Sequence, residues 1–176
     1  MNIAGTYLEE VIKGFHGLKS NTEKAVVQLS DSEMHYTPDP ESNSIVIIMK
    51  HMAGNMCSRF TDFMTTDGEK PDRNRDGEFV DDFTTRDQLM DFWNRGWRCV
   101  FDSIESLKEE DLLKIVYIRH EPHTVIRALQ RQLVHYAYHS GQIVFLAKQI
   151  RKGDFKTLSI PRGESAKYLA SPPAEK

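Results

Sequence analysis

Four separate stretches of this 176-residue chain repeat apolar residues every three or four positions. That period belongs to one face of an α-helix. The first stretch runs from Ile3 to Leu29 on Leu8, Val11, Ile12, Phe15, Leu18, Thr22, Ala25, Val26 and Leu29, weakened locally by Gly14 and Gly17. The second runs from Ile45 to Met64, with Asn43 or Ser44 as its N-cap, on Ile48, Met49, Met52, Met56, Phe60 and Phe63. The third starts behind Thr84 or Thr85 and continues through Leu89, Trp93, Trp97, Val100 and Ile104 to Leu107. The fourth runs from Val125 to Arg151 and stops before Gly153, a residue type suited to a C-cap. Four such helices predict an all-α protein, a four-helix bundle.

The connections are less regular. Met34 to Asn43 carries Pro38 and Pro40 and reads as a loop. Thr65 to Asp82 is rich in Asp, Gly, Arg and Pro, and a loop of that length in a small domain tends to be functional or mobile. Leu113 to Ile118, followed by Glu121-Pro122-His123, predicts a short hairpin or extended connector before the last helix. The bundle is expected over residues 1–160. Residues 161–176, with Pro172 and Pro173, read as a weakly ordered C-terminal tail. A chain of this size buries roughly two thirds of the surface that it exposes unfolded, so it needs no disulfide or metal to fold. Any metal site is then better explained by function.

Charge and hydropathy narrow the partners. With 23 basic and 26 acidic residues the formal net charge is -3, so the basic footprint of a nucleic-acid binder is missing. No apolar run approaches the roughly 20 residues of a membrane span. The start, Met1-Asn2-Ile3-Ala4-Gly5, lacks the basic and apolar segments of a signal peptide, which implies a cytoplasmic protein. Cys57 and Cys99 are far apart in sequence and form no C-x-x-C motif; in a reducing compartment they read as buried thiols. Phe92, Trp93, Trp97, Phe101, Tyr136, Tyr138 and Phe145 fall at helical spacing and read as core.

Three of the seven histidines stand out. His135 and His139 are four residues apart on the fourth helix, so their imidazoles stand one above the other and can face one ion. Tyr136 occupies the position where a zinc-protease motif has its glutamate base, so that motif is excluded. His51 lies among Ile48, Met49 and Met52 and is expected to point inward. Bundle cores build metal sites from facing helices. A packed, hydrogen-bonded core histidine is the plainer reading of His51 alone, whereas the i,i+4 pair is more specific. Asn55, Arg59, Arg131 and Gln142 lie within two turns of these histidines, suited to orient a ligand or hold an anionic substrate group. His16, His35, His120 and His123 read as solvated or capping residues; His123 reaches the site only if the connector folds over the bundle mouth. The run Asp72 to Asp82 can supply a carboxylate ligand, though such runs are usually solvated.

One histidine in the second helix followed by H-x-x-x-H in the last resembles the DinB/YfiT-like superfamily of metalloenzymes. The likeness rests on Asn43 to Met56, on Arg73-Asn74-Arg75-Asp76-Gly77-Glu78-Phe79, and on Arg131 to Ile143. It extends from about residue 3 to residue 155 and points to an uncharacterised bacterial branch. The resemblance implies a four-helix bundle and a homodimer, although no helix shows a separate apolar stripe to assign to a dimer contact. It implies that His51, His135 and His139 bind a divalent ion, nickel or zinc, with open positions. It also implies a small-molecule substrate, and relatives are transferases and isomerases that use a low-molecular-weight thiol. The expectation is therefore a metal-dependent, thiol-using S-transferase. The alternatives are a metal-dependent hydrolase, for which no general base is evident, and a non-catalytic metal-binding or interaction protein.

Overall fold

A computed structural model describes residues 2–170. Its elements are α1 (Ile3–Val26), α2 (Asp31–Met34), α3 (Ile45–Phe60), α4 (Arg86–Ile104), β1 (Ile115–Ile118), β2 (Glu121–Thr124), α5 (Val125–Arg151) and α6 (Ser165–Ala170). The chain is thus mostly helical with one small antiparallel sheet. The long helices pack α3 against α4, α1 against α5, and α3 against α5. None of the helices among the described residues is long and apolar enough to cross a membrane.

The ends of the helices follow local chemistry. Ser44, Thr85 and Thr124 cap α3, α4 and α5, each hydroxyl accepting from the backbone N–H three residues on. The first helix stops at Val26, short of the expected Leu29, and the chain restarts at Ser30 in a capping box with Glu33. The second stops at Phe60 instead of Met64, because Thr61 turns extended and Asp62 adopts a φ of +49°. The last ends at Arg151, yet the left-handed residue there is Lys152 (φ +50°), and Gly153 is not the cap. The tail carries α6 from Ser165; residues 171–176, where Pro172 and Pro173 fall, lie outside the described residues.

Each of the four long helices contributes one ring to a buried aromatic knot. Phe15 of α1 meets Phe60 of α3, Trp97 of α4 and Tyr136 of α5 at centroid distances of 6.2, 6.4 and 5.9 Å, all edge to face. Trp97 also meets Tyr136 at 6.0 Å. Edge-to-face pairs of this kind add to area burial and fix ring orientation. Not every aromatic predicted as core is inside. Tyr138 and Phe145 are 64% and 70% exposed, and with Val134, at 66%, they mark a separate apolar face of α5. Helical spacing alone did not reveal this, because α5 carries apolar residues on two faces.

The hairpin is the expected connector. Val116 pairs with His123 and Ile118 with Glu121. Its two turn residues, Arg119 (φ +57°) and His120 (φ +65°), both lie in the left-handed region without a glycine. Asp67 offsets the strain by accepting from both backbone N–H groups, at 2.9 and 2.7 Å. The loop after α3 is thereby tied to the hairpin, and the Gly68 N–H adds a 2.7 Å bond to the Tyr117 carbonyl.

One glycine permits a close helix approach. A Cβ at Gly96 of α4 would stand 2.9 Å from the Cα and 3.1 Å from the Cβ of Ala53 on α3. Gly96→Ala is expected to destabilise by about 1–3 kcal/mol through overpacking. Gly17→Ala meets nothing within 4 Å and should stabilise α1 by about 0.4–1 kcal/mol. Urea unfolding of the two variants against wild type measures both signs.

Candidate metal centre

His51 projects from the middle of α3, and His135 and His139 from consecutive turns of α5. Their ligand nitrogens all lie within 4.8 Å of one another, so the three can hold a metal ion. The Nε2 atoms of His135 and His139 are 3.0 Å apart. Two nitrogens at that distance can share one ion bonded at about 2.0–2.1 Å to each. The ring of His51 stands 5.5 and 5.0 Å from those of His135 and His139, centroid to centroid. It is 6% exposed, and Phe79 stacks on it at 4.8 Å.

The hydrogen bonds behind the rings decide which nitrogen faces inward. His51 Nδ1 bonds Glu78 Oε2 at 2.9 Å, and His139 Nδ1 bonds Gln142 Oε1 at 2.8 Å. An imidazole bonded through Nδ1–H to a carboxylate or amide oxygen presents its Nε2 lone pair on the opposite side. His139 Nε2 is then the acceptor of its 3.0 Å contact with His135. His135 donates there from Nε2 and must move that proton to Nδ1 to become a ligand. The donor set of three neutral imidazoles suits zinc, nickel, copper or iron.

A second layer holds these side chains. Glu78, buried, accepts from Arg73 Nε at 2.7 Å and Arg73 Nη2 at 2.8 Å as well as from His51. Arg73 reaches Glu69 at 3.2 Å, and Glu69 also takes Arg59 at 3.0 Å and Arg119 at 2.9 Å. Arg59 further donates to the Gly68 carbonyl. Gly54 makes room for this layer, since a Cβ there would stand 2.8 Å from the Glu78 carboxyl carbon. On the α5 side, the Tyr136 hydroxyl donates to Asn55 Oδ1 at 3.1 Å, linking the helices one turn from His51.

The expected site residues fall in different places. Gln142 bonds a site histidine directly. Asn55 bonds Tyr136, and Arg59 is buried against Glu69. Arg131 is exposed and lines a cavity of about 230 Å³ whose walls include His51 and His135. The acidic run supplies no carboxylate to the candidate metal group; instead its Glu78 holds His51 from behind. The sequence marks Arg73 to Phe79 as part of the resemblance and Asp72 to Asp82 as a source of a carboxylate, but assigns no individual role to Glu78 or Arg73. His123, expected as solvated, is buried, with Nδ1 on the Glu121 carbonyl at 3.0 Å, and stays outside the cluster. His16 stacks on Phe101, His35 bonds Asp81 at 2.9 Å, and His120 sits beside Asp67. Cys57 and Cys99, remote in sequence, are 3.7 Å apart across α3 and α4, and both are half-buried.

Residues 2–164 match a family model, and the chain belongs to that family, described as "Protein of unknown function (DUF1572)". No curated protein matches the sequence. Among solved structures it is similar to one titled "Crystal structure of the conserved protein of locus from Enterococcus faecalis". The TM-score is 0.63 at 17% identity, covering 85% of this chain and 98% of that one. At that identity the likeness shows a shared fold.

Burial favours the neutral imidazole, the form that ligates a metal, at His135 and His139. Burial, then the neighbouring His139 and His51, pushes the His135 imidazole down to about 3. Burial also lowers His139, partly opposed by the Gln142 bond. Burial alone would raise Glu69, but hydrogen bonds from Arg119 and Arg59 and the charges of Arg59 and Arg73 outweigh it and hold the carboxyl at about 2. For His135 the unfolded chain takes a proton below about 6.5 that the folded chain refuses. That stability is present above about 6.5 and lost as the pH falls toward 3. The Glu69 contribution has the same sign and is lost between 4.5 and about 2. Metal-free protein should therefore weaken in urea titrations from pH 7 to pH 5. His135→Gln should flatten that slope, and an unchanged slope would deny His135 the role.

Proposed function

We propose that this chain is a DinB/YfiT-like four-helix-bundle metalloenzyme in which His51, His135 and His139 hold a nickel or zinc ion. The observation that carries this reading is the cluster itself: three imidazole nitrogens within 4.8 Å, two of them turned inward by Glu78 and Gln142. When bound, such a dication acts as a Lewis acid that acidifies a coordinated water or thiol. The chain's own groups do the rest. Glu78 and Gln142 fix ring orientation, Asn55 and Tyr136 hold α3 and α5 in register, and the adjoining cavity admits a small molecule.

The reaction we favour is transfer of a low-molecular-weight thiol to an electrophile. Among the described residues, the cavity beside the histidines is lined by no carboxylate. Glu78, the nearest, is committed to Arg73 and His51. A site without a free general base suits the nucleophile that needs least help to lose its proton; a bound ion would acidify either a thiol or a water, but the thiol starts at about 8.5, far below water. Hydrolysis is the weaker alternative for the same reason. A homodimer, through the exposed Val134, Tyr138 and Phe145 face of α5, belongs to the same proposal.

Untagged wild type is expected to carry near-stoichiometric metal by elemental mass spectrometry, and His51→Ala, His135→Ala and His139→Ala to lose it. Wild type that is empty and refuses added nickel and zinc would leave a packed polar cluster. Glu78→Gln should weaken binding about 10–100-fold in a chelator competition, as removal of an outer partner does. Thiol consumption with a model electrophile should depend on metal; equal rates for wild type and His135→Ala would end the transferase reading.

A further inference from the structure

We propose that the cavity beside the histidine cluster binds a small anion that also carries an O–H or N–H donor, and that this anion is the substrate class of the centre. Its role as substrate rests on the metal-dependent reading above; its binding does not.

Five guanidinium groups, of Arg59, Arg73, Arg75, Arg119 and Arg131, line this cavity. Two carboxylates, Glu69 and Glu78, neutralise part of that charge through Arg59, Arg73 and Arg119. Arg75 and Arg131 have no ion-pair partner among the described residues. Five cations against two anions leave a local excess of three positive charges in a chain whose formal net charge is -3. Such a concentration of one sign is not a by-product of composition, and a walled cleft focuses its field on an incoming anion. Guanidinium forks match carboxylate and phosphate oxygens in pairs.

Two buried polar atoms in the same wall lack partners. Arg59 is 4% exposed and its Nε–H donates to nothing; Gln132 is 3% exposed and its Oε1 accepts from nothing. A buried polar atom left unpaired costs about 1–3 kcal/mol, so a small turn of either side chain toward the cavity is favoured when a ligand group of the opposite kind is there. The Arg59 Nε–H calls for an oxygen, and the Gln132 oxygen calls for a donor. Size sets the rest. At about 230 Å³ the cavity falls below the roughly 300–1,000 Å³ of drug-sized sites, which fits a phosphorylated or dicarboxylic molecule of a few carbons.

The test is isothermal titration of the EDTA-treated full chain at low salt with inorganic phosphate, malonate, hydroxymalonate and, as neutral control, glycerol. At least one anion should bind saturably at one site and glycerol should not. The double variant Arg75→Gln, Arg131→Gln, at two exposed and unpaired positions, should keep its circular dichroism spectrum and lose affinity about tenfold or more. Phosphate outbinding malonate assigns a phosphate ester; the reverse assigns a carboxylate. Hydroxymalonate should bind tighter than malonate, with the gain abolished in Gln132→Leu. No anion binding, or binding unchanged in the double variant, overturns the proposal, and equal affinities for malonate and hydroxymalonate overturn its donor clause. Because the protein is metal-free, failure here is separable from failure of the metal centre.

Discussion

Glu69 and Glu78 hold together an end of the molecule that would otherwise fly apart on charge. Three arginines, Arg59, Arg73 and Arg119, arrive there from α3, from the long loop and from the hairpin turn, and the two carboxylates accept from all three. A buried guanidinium without such a partner would cost several kcal/mol. The loop between α3 and α4 is therefore ordered by electrostatics where it buries little apolar surface. That order has a chemical consequence, because the same Glu78 fixes the tautomer of His51. Charge neutralisation and ligand orientation are served by one side chain.

The apolar core does a separate job. The rings of Phe15, Phe60, Trp97 and Tyr136 fix how far α5 is rotated about its axis. With Tyr136 turned into the knot, its neighbour His135 points to the edge, where His139 lies one turn on. The Tyr136 hydroxyl then meets Asn55, so the rotation of α5 is read against α3 by a buried hydrogen bond. Close approach at Gly96 and Ala53 fixes α3 from its other side. The histidines are thus placed by packing and aimed by polar contacts.

That division also explains what could be read in the sequence. The long helices were legible because each buries one face, and apolar period 3.6 records burial directly. Their caps were legible at Ser44, Thr85 and Thr124, where one hydroxyl does the work. The His135 and His139 pair was legible because i,i+4 spacing on α5 is a local fact, whereas His51 joined it through the resemblance. The second layer was not. Glu78 meets His51 across 27 positions of irregular chain, and Cys57 meets Cys99 across 42. No periodicity links such pairs, since both depend on how a loop or helix pair is docked. Tyr138 and Phe145 were misread as core for a related reason: hydrophobicity reports that a residue is apolar, and only packing decides whether something covers it.

A cluster of three imidazoles with nothing to bind would be a poor core element. Burying them, and then crowding them, depresses His135 and His139 and so costs stability as pH falls. It also leaves His135 and His139 sharing one proton between two Nε2 atoms. Aliphatic side chains would fill the same space at no such cost, and the aromatic knot holds the helices without help from the histidines. Arg59 Nε and Gln132 Oε1, buried and unpaired on two residues of the cavity wall, add a second cost. Departures from good packing that converge on one spot are expected of a functional site and not of a core.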